Sequence, residues 1–127
     1  MNQLANTVLF VDDEAYIRQS FADYFEDKLW LTFQADSGET GLEILQKESP
    51  QCVVVDIRMG GMDGNTFIRK AIQKMPELFF VICTGSPEYD IPEDLNEHPK
   101  VSEHLFRKPV TEMAALEKEL LRLLETL

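Results

Sequence analysis

The alternation of short apolar runs with amphipathic stretches is the feature that most constrains how this chain of 127 residues folds. Runs rich in apolar residues, typical of buried strands, lie at 7–11, 30–35, 52–55, 78–83 and 104–107. Between the first two runs, apolar residues recur at helical spacing, namely Ile17, Phe21, Tyr24 and Phe25. Strands that alternate with helices and are apolar on both faces favour a parallel sheet covered on both sides. We therefore predict an α/β fold, a doubly wound five-stranded parallel sheet with helices on both faces.

Capping and helix-breaking residues predict where the helices begin and end. Asp36 and Ser37 are suited to cap a helix that ends before Ser49 and Pro50. Further apolar stripes predict helices over about residues 65–74 and 111–125. Pro109 is expected at the beginning of the last helix, because its fixed φ is compatible with a first turn.

The segment before the fifth strand is expected to be irregular. Residues 86–100 show no clear apolar face and contain Pro87, Pro92 and Pro99. Since proline interrupts helices, the fourth helix should be short or irregular.

Composition limits the partners and the compartment. Apolar residues make up 44% of the chain, enough for one core, so residues 1–127 are interpreted as a single domain. The net charge of −11 argues against binding to nucleic acid or to an anionic membrane, since both would repel this surface. Residues 1–6 are polar and no run reaches membrane-spanning length, which predicts a cytoplasmic protein. Cys52 and Cys83 lie in apolar runs and should be buried, reduced thiols.

Polar residues follow the predicted strands at their carboxyl ends. They are Asp12 and Asp13 after the first strand, Asp56 after the third, Thr84 after the fourth and Lys108 after the fifth. In open α/β sheets, ligands bind beyond these ends, near the point where the strand order reverses. Three carboxylates so close together favour a cation, and a set of oxygen ligands favours Mg²⁺, with Asp13 and Asp56 as direct ligands.

These residue types also suit phosphoryl transfer. A carboxylate placed beside Mg²⁺, an ammonium and a hydroxyl can accept a phosphoryl group, because the transition state needs positive charge and donors around its equatorial oxygens. Asp56 is the candidate acceptor, Lys108 the cation and Thr84 the hydroxyl. Taken singly, Asp12 would suit a helix cap, Thr84 a turn and Lys108 a solvated surface, but their joint placement on strand ends favours a site.

Five short motifs, in order along the chain, resemble those of a response-regulator receiver domain. They are Val-Asp-Asp-Glu at 11–14, Val-Asp at 55–56, Met-Gly-Gly-Met-Asp-Gly at 59–64, Thr-Gly at 84–85 and Lys-Pro at 108–109. The resemblance extends over nearly the whole chain and implies a flavodoxin-like sheet with strand order 2-1-3-4-5. It implies a phosphorelay function in two-component signalling rather than an enzyme.

The resemblance also implies a role for each matching residue. Asp56 would be the phosphoacceptor, with Asp13 and Asp12 holding Mg²⁺ directly and through water, and the backbone carbonyl of Arg58 as a third protein ligand. Thr84 and Lys108 would hold the phosphoryl oxygens.

The implied partners are a sensor histidine kinase or histidine phosphotransfer protein as phosphoryl donor, and a downstream effector domain or protein. Phosphorylation would pull the Thr84 loop inward and change the face made by the fourth helix, fifth strand and fifth helix. A homodimer through that face is a further expectation.

Two positions depart from the family's pattern. Gly60 and Gly61 stand where proline usually follows the loop methionine, which predicts a more mobile loop. Leu105 occupies the switch position that is normally Tyr or Phe. The neighbouring Phe106 should face the other side of the strand and belong to the core, because side chains alternate along a strand.

Two other functions compete with the phosphoacceptor. A receiver-like module that binds partners without phosphorylation is one, although such modules tend to lose an acidic-pair residue or the lysine. The other is a Mg²⁺-dependent phosphatase with an aspartyl nucleophile, against which stands Arg58, because many such hydrolases have an acid two residues after the nucleophile.

Overall fold

A computed structural model describes residues 5–126, and within them five strands alternate with five helices. The elements are β1 (Thr7–Val11), α1 (Ala15–Asp27), β2 (Leu31–Ala35), α2 (Gly38–Glu48), β3 (Cys52–Val55), α3 (Gly64–Lys74), β4 (Phe79–Thr84), α4 (Glu93–Asn96), β5 (Phe106–Arg107) and α5 (Met113–Leu124). All the strand pairs are parallel, in the order β2-β1-β3-β4-β5, so the predicted fold is confirmed. Residues 1–4, part of the polar N-terminal segment, and residue 127 lie outside the described residues.

The sheet separates two apolar cores. One packs against α2, α3 and α4, and includes Phe67, Ile68 and Leu95. The other packs against α1 and α5, and includes Phe21, Phe25 and Leu120. β1, β3 and β4 contribute side chains to both cores, which explains why their sequences are apolar throughout.

Local sequence explains where two helices begin and why a third is short. The Ser37 hydroxyl accepts a hydrogen bond from the Thr40 backbone N–H at 3.1 Å, so Ser37, one of the two predicted candidates, caps α2. The Asp63 carboxylate likewise accepts from the Thr66 N–H at 2.8 Å and caps α3. α4 has only four residues, as the prolines predicted.

The last helix, predicted over about residues 111–125, is observed as α5 over Met113–Leu124, so Pro109 lies four residues before it and not in its first turn. Between Pro109 and α5, Val110 packs against the second core. β5 is also shorter than predicted, with only two residues paired to β4.

The structure bears on two predictions made from the sequence, the lack of a membrane-spanning run and the burial of the cysteines. Within residues 5–126, no helix is both long and apolar enough to cross a membrane. Cys52 and Cys83 are buried and form no disulfide, and burial raises the pKa of both thiols, that of Cys83 to about 12. Both cysteines therefore serve as small core residues, as predicted.

A close approach between α3 and the end of β3 sets the position of the site. A Cβ atom at Gly64 would lie 2.3 Å from the Asp56 carbonyl oxygen and 2.8 Å from the Ile57 Cα. The first turn of α3 can therefore lie against the backbone of Asp56 only because residue 64 has no side chain.

Candidate functional site

The sheet's own hydrogen bonds continue into the candidate site. The backbone N–H of Asp12 donates to Ala35 at 3.1 Å, that of Asp56 to Val11 at 2.8 Å, and that of Lys108 to Thr84 at 2.9 Å, each through the partner's carbonyl oxygen. These three site residues are therefore fixed by the strands themselves, and the carboxyl ends of β1, β3, β4 and β5 meet at one edge.

Asp12, Asp13 and Asp56 form a carboxylate cluster. One oxygen from each lies within 4.8 Å of the other two. Asp12 and Asp56 are buried, whereas Asp13 is exposed, so the cluster opens towards solvent on one side. An all-oxygen donor set of this kind fits Mg²⁺, which binds to one or two carboxylates and retains waters.

The Lys108 ammonium links the cluster to the fifth strand. Its Nζ lies 3.0 Å from Asp12 Oδ2, 3.0 Å from Glu14 Oε1 and 3.4 Å from Asp56 Oδ2. Burial alone would lower the pKa of Lys108, but hydrogen bonds to Asp12 and Glu14 outweigh it and raise the pKa overall. Lys108 therefore stays charged and offsets part of the negative charge around it.

The pKa of Asp56 reflects opposing effects of burial and of nearby charges. Burial and the charge of Asp12 raise its pKa, the nearby Lys108 lowers it, and the result is a pKa of about 6. A carboxyl in this position is held in a partly desolvated setting, which makes its ionised form more reactive towards an electrophile than a solvated carboxylate.

Thr84, the last residue of β4, is fully buried. Its Oγ1 accepts a hydrogen bond from the Ser86 backbone N–H at 3.1 Å. Because a hydroxyl also carries one hydrogen, Thr84 retains a donor for another acceptor.

An open cleft of about 350 Å³ lies over Asp56 and Lys108. Its lining includes Asp56, Lys108, Ser86 and Gly85. Arg58 and Glu88 stand at its rim, with Arg58 Nη2 4.0 Å from Glu88 Oε2 and both side chains largely exposed. The cleft has room for a phosphoryl group and its surrounding water.

The structure thus brings together the predicted carboxylates and Lys108, and it adds a residue that the sequence analysis did not assign. Glu14 contacts Lys108 as closely as Asp12 does. The position of Glu14 in the Val-Asp-Asp-Glu motif was the sequence signal that could have indicated this contact. The Asp12 side chain also accepts from the Glu14 N–H at 2.9 Å, which orients both residues.

The positions that depart from the family's pattern lie in the segment between β3 and α3 and directly before β5. Leu105 packs against the first core, while Phe106 is buried in the second, as side-chain alternation predicted. Gly61 adopts a φ of +75°, a conformation that suits glycine, whereas Gly60 is exposed and has no atom near the position of a Cβ.

Known proteins are similar to this chain over much of its length. Residues 8–115 match the family model for the response regulator receiver domain. Sporulation initiation phosphotransferase F of Bacillus subtilis is 31% identical over 90 residues, which is 71% of this chain and 73% of that protein. A protein-glutamate methylesterase/protein-glutamine glutaminase of Oleidesulfovibrio alaskensis is 37% identical over 83 residues, 64% of this chain but only 22% of its own length.

Solved structures show the same architecture. A CheY-like response regulator receiver domain protein from Methanospirillum hungatei has a TM-score of 0.80 at 25% identity, with 96% of each chain covered. The response regulator TrrA from Thermotoga maritima, solved in complex with Mg²⁺ and BeF, has a TM-score of 0.79 at 21% identity, covering 93% of this chain and 98% of TrrA. Since the family model matches most of the chain and the sheet order is the same, this protein belongs to the response regulator receiver domain family of two-component signalling.

Proposed function

We propose that Asp56 is the phosphoacceptor of this receiver domain. The observation that carries the proposal is the buried Asp56 carboxylate, with Lys108 Nζ at 3.4 Å and the carboxylates of Asp12 and Asp13 beside it. Three carboxylates gathered at one partly buried place repel one another and are unfavourable for the fold alone, so this arrangement argues for chemistry that uses their charge.

In the proposed reaction, an Asp56 oxygen attacks the phosphorus of a phosphohistidine on a partner protein. A bond forms between the carboxylate oxygen and phosphorus while the bond from phosphorus to the imidazole nitrogen breaks. The electron pair of the broken bond returns to the imidazole, and Asp56 becomes an acyl phosphate. Lys108 offsets the negative charge of the phosphoryl oxygens, and the Thr84 hydroxyl donates a hydrogen bond to one of them.

Asp12, Asp13, Asp56 and the backbone carbonyl of Arg58 would hold Mg²⁺. When bound, the ion would supply positive charge for a phosphoryl oxygen and relieve the repulsion among the three carboxylates. Asp13 suits the role of a direct ligand, because its exposed side chain keeps access to water and incoming ions.

Receiver domains in general interact with histidine kinases and effector domains. For this chain, we infer a sensor kinase or histidine phosphotransfer protein as donor, and an effector whose contact with α4, β5 and α5 depends on phosphorylation. Residues 1–127 would form one receiver domain that acts in the cytoplasm. A bound phosphoryl group would favour one arrangement of the Thr84 loop over another and thereby change that face.

The test is incubation of the wild-type protein and Asp56→Asn with acetyl phosphate and Mg²⁺, followed by intact-mass measurement. We expect an adduct of one phosphoryl group on the wild type and none on Asp56→Asn. The adduct should not form when EDTA is present during the incubation, and hydroxylamine should remove it once formed. Asp90→Asn, which changes an exposed aspartate, serves as the matched control and should be labelled like the wild type.

Two other outcomes would identify the competing functions. A folded wild-type protein that takes up no phosphoryl group would contradict the proposal and favour a module that binds partners without phosphorylation. Steady turnover of small phosphate monoesters, lost in Asp56→Asn, would instead indicate a phosphatase.

A further inference from the structure

The loop after Thr84 is closed by a tight turn. The Tyr89 N–H donates to the Ser86 carbonyl oxygen at 3.4 Å, which closes residues 86–89 into a single turn. The first residue of this turn also touches the site, since the Ser86 N–H donates to Thr84 Oγ1. The position of the turn therefore decides whether the Thr84 hydroxyl keeps its orientation.

Arg107 on β5 binds both ends of this turn. Its Nη1 donates to the Ser86 carbonyl oxygen, and its Nη2 donates to the Tyr89 carbonyl oxygen at 3.2 Å. The planar guanidinium presents several donors in a fixed fork, so one side chain can hold two carbonyls at a set spacing. Arg107 also pairs with Thr84 in the β4–β5 register, which places its backbone directly beside the residue that the turn orients.

A second contact ties the same turn to α3. The Tyr89 hydroxyl donates to Asn65 Oδ1 at 2.7 Å, and the tyrosine is partly buried against the first core. The turn is thus held between β5 and α3. Of the two anchors, only Arg107 binds Ser86, the residue whose N–H meets the Thr84 hydroxyl.

We propose that Arg107 is a positioning residue for phosphoryl binding, one that holds the 86–89 turn so that the Thr84 hydroxyl can donate to the phosphoryl group on Asp56. The role rests on the proposed function of Asp56. With the Ser86 N–H occupying one lone pair of Thr84 Oγ1, the hydroxyl hydrogen is left for the phosphoryl oxygen. Without Arg107, the carbonyls of Ser86 and Tyr89 would turn to water, and the turn would sample other positions.

The test compares the affinity of four proteins for beryllium fluoride in saturating Mg²⁺, measured by amide NMR titration. They are the wild type, Arg107→Gln, Arg107→Lys and the control Arg69→Gln. Arg69 is an exposed arginine that binds Asp94 through two hydrogen bonds, at 2.9 and 3.0 Å, and neither bond involves the 86–89 turn. Mg²⁺ affinity and the thermal midpoint are measured for all four proteins.

We expect Arg107→Gln to weaken beryllium fluoride binding by about tenfold, the typical effect of losing a hydrogen bond to a charged group. Arg107→Lys should recover part of the affinity, because an ammonium can still donate to one carbonyl. Arg69→Gln should bind like the wild type. Mg²⁺ affinity should stay unchanged in the Arg107 variants, since neither hydrogen bond of the Arg107 side chain involves the carboxylate cluster. The thermal midpoint should fall in Arg107→Gln by no more than in Arg69→Gln, which also loses two hydrogen bonds.

Wild-type affinity in Arg107→Gln would overturn the positioning role alone. So would an equal loss in Arg69→Gln, which would indicate general loosening of the segment. A parallel loss of Mg²⁺ affinity in Arg107→Gln would also contradict it. If the wild type itself fails to bind beryllium fluoride in Mg²⁺, the phosphoacceptor function fails first, and the role of Arg107 fails with it.

Discussion

At the scale of single residues, the Asp56 carboxyl combines strong burial with a crowd of charges. Asp12 and Asp13 repel its ionised form, and Lys108 attracts it. The net result, a pKa of about 6, means that the folded protein holds a charged Asp56 at neutral pH at a cost in stability. A ligand that offsets this unfavourable charge would therefore stabilise the folded protein when it binds.

Asp56→Asn should therefore stabilise the metal-free protein. Since the folded-state pKa lies above the ordinary value of about 3.9, the folded state binds the proton more tightly, and wild-type stability falls as pH rises from about 4 to about 6. We expect the variant to have a free energy of unfolding higher by about 1–2 kcal/mol at pH 7. The difference should vanish below about pH 4, where the carboxyl is protonated in both states.

Urea unfolding in EDTA across this pH range measures the effect. Asp90→Asn controls for the loss of one negative charge at an exposed position. A variant no more stable than the wild type at pH 7 would contradict the burial of a charged Asp56.

The sequence was sufficient to predict that Asp12, Asp13, Asp56 and Lys108 meet at this edge, because the carboxyl ends of parallel strands lie together whatever the details of packing. It was not sufficient to predict the contacts of Glu14 or Arg107. Both contacts depend on how far a long side chain reaches across a loop. That reach cannot be inferred from the alternation of side chains along a strand or from a turn motif. The roles of Thr84 and of the Arg58 carbonyl stay predictions.

At the scale of elements, the helices and strands follow local sequence where a cap or a continuous apolar run is present. α2 and α3 begin where Ser37 and Asp63 cap them. At α5 the apolar stripe predicted the helix to within two residues at each end, whereas Pro109 did not mark its first turn. Proline is compatible with a first helical turn but does not require one.

The contact between α3 and β3 makes a testable element-scale prediction. Gly64→Ala should lower the free energy of unfolding by about 1–3 kcal/mol, because the new Cβ would meet backbone atoms that cannot move as a side chain can. Gly60→Ala is the matched control, since that position is open and the change should fall within about 0.5 kcal/mol. Chemical unfolding of both variants measures the two changes in the free energy of unfolding. Equal stability of the variants would show that α3 does not pack tightly against the Asp56 backbone.

At the scale of the whole molecule, the chain is acidic, and its carboxylate cluster lies at one edge of the sheet that separates the two cores. The net charge of −11 attracts cations in general, but only the cluster of Asp12, Asp13 and Asp56 gathers three carboxylates within 4.8 Å among the described residues. The absence of nucleic-acid and membrane partners, argued from this charge, stays a prediction, as does the cytoplasmic location.

Mg²⁺ should therefore stabilise the whole protein through this one cluster. At a Mg²⁺ concentration of 100 times the dissociation constant, linkage predicts a gain of about 2.7 kcal/mol in the free energy of unfolding. Asp13→Asn should remove the gain without lowering the stability of the metal-free protein, since Asp13 is exposed. Thermal unfolding with Mg²⁺ and with EDTA tests this, and an undiminished gain in Asp13→Asn would place the ion elsewhere.

The most direct measurement is amide NMR of the wild-type protein and Asp56→Asn, with and without beryllium fluoride in Mg²⁺. We predict large shifts at Asp56, Thr84 and Lys108 in the wild type, which extend through the 86–89 turn to Leu105 and α5, and none of these in Asp56→Asn. A wild-type protein that gives no response, or the same response in Asp56→Asn, would contradict phosphoryl binding at Asp56.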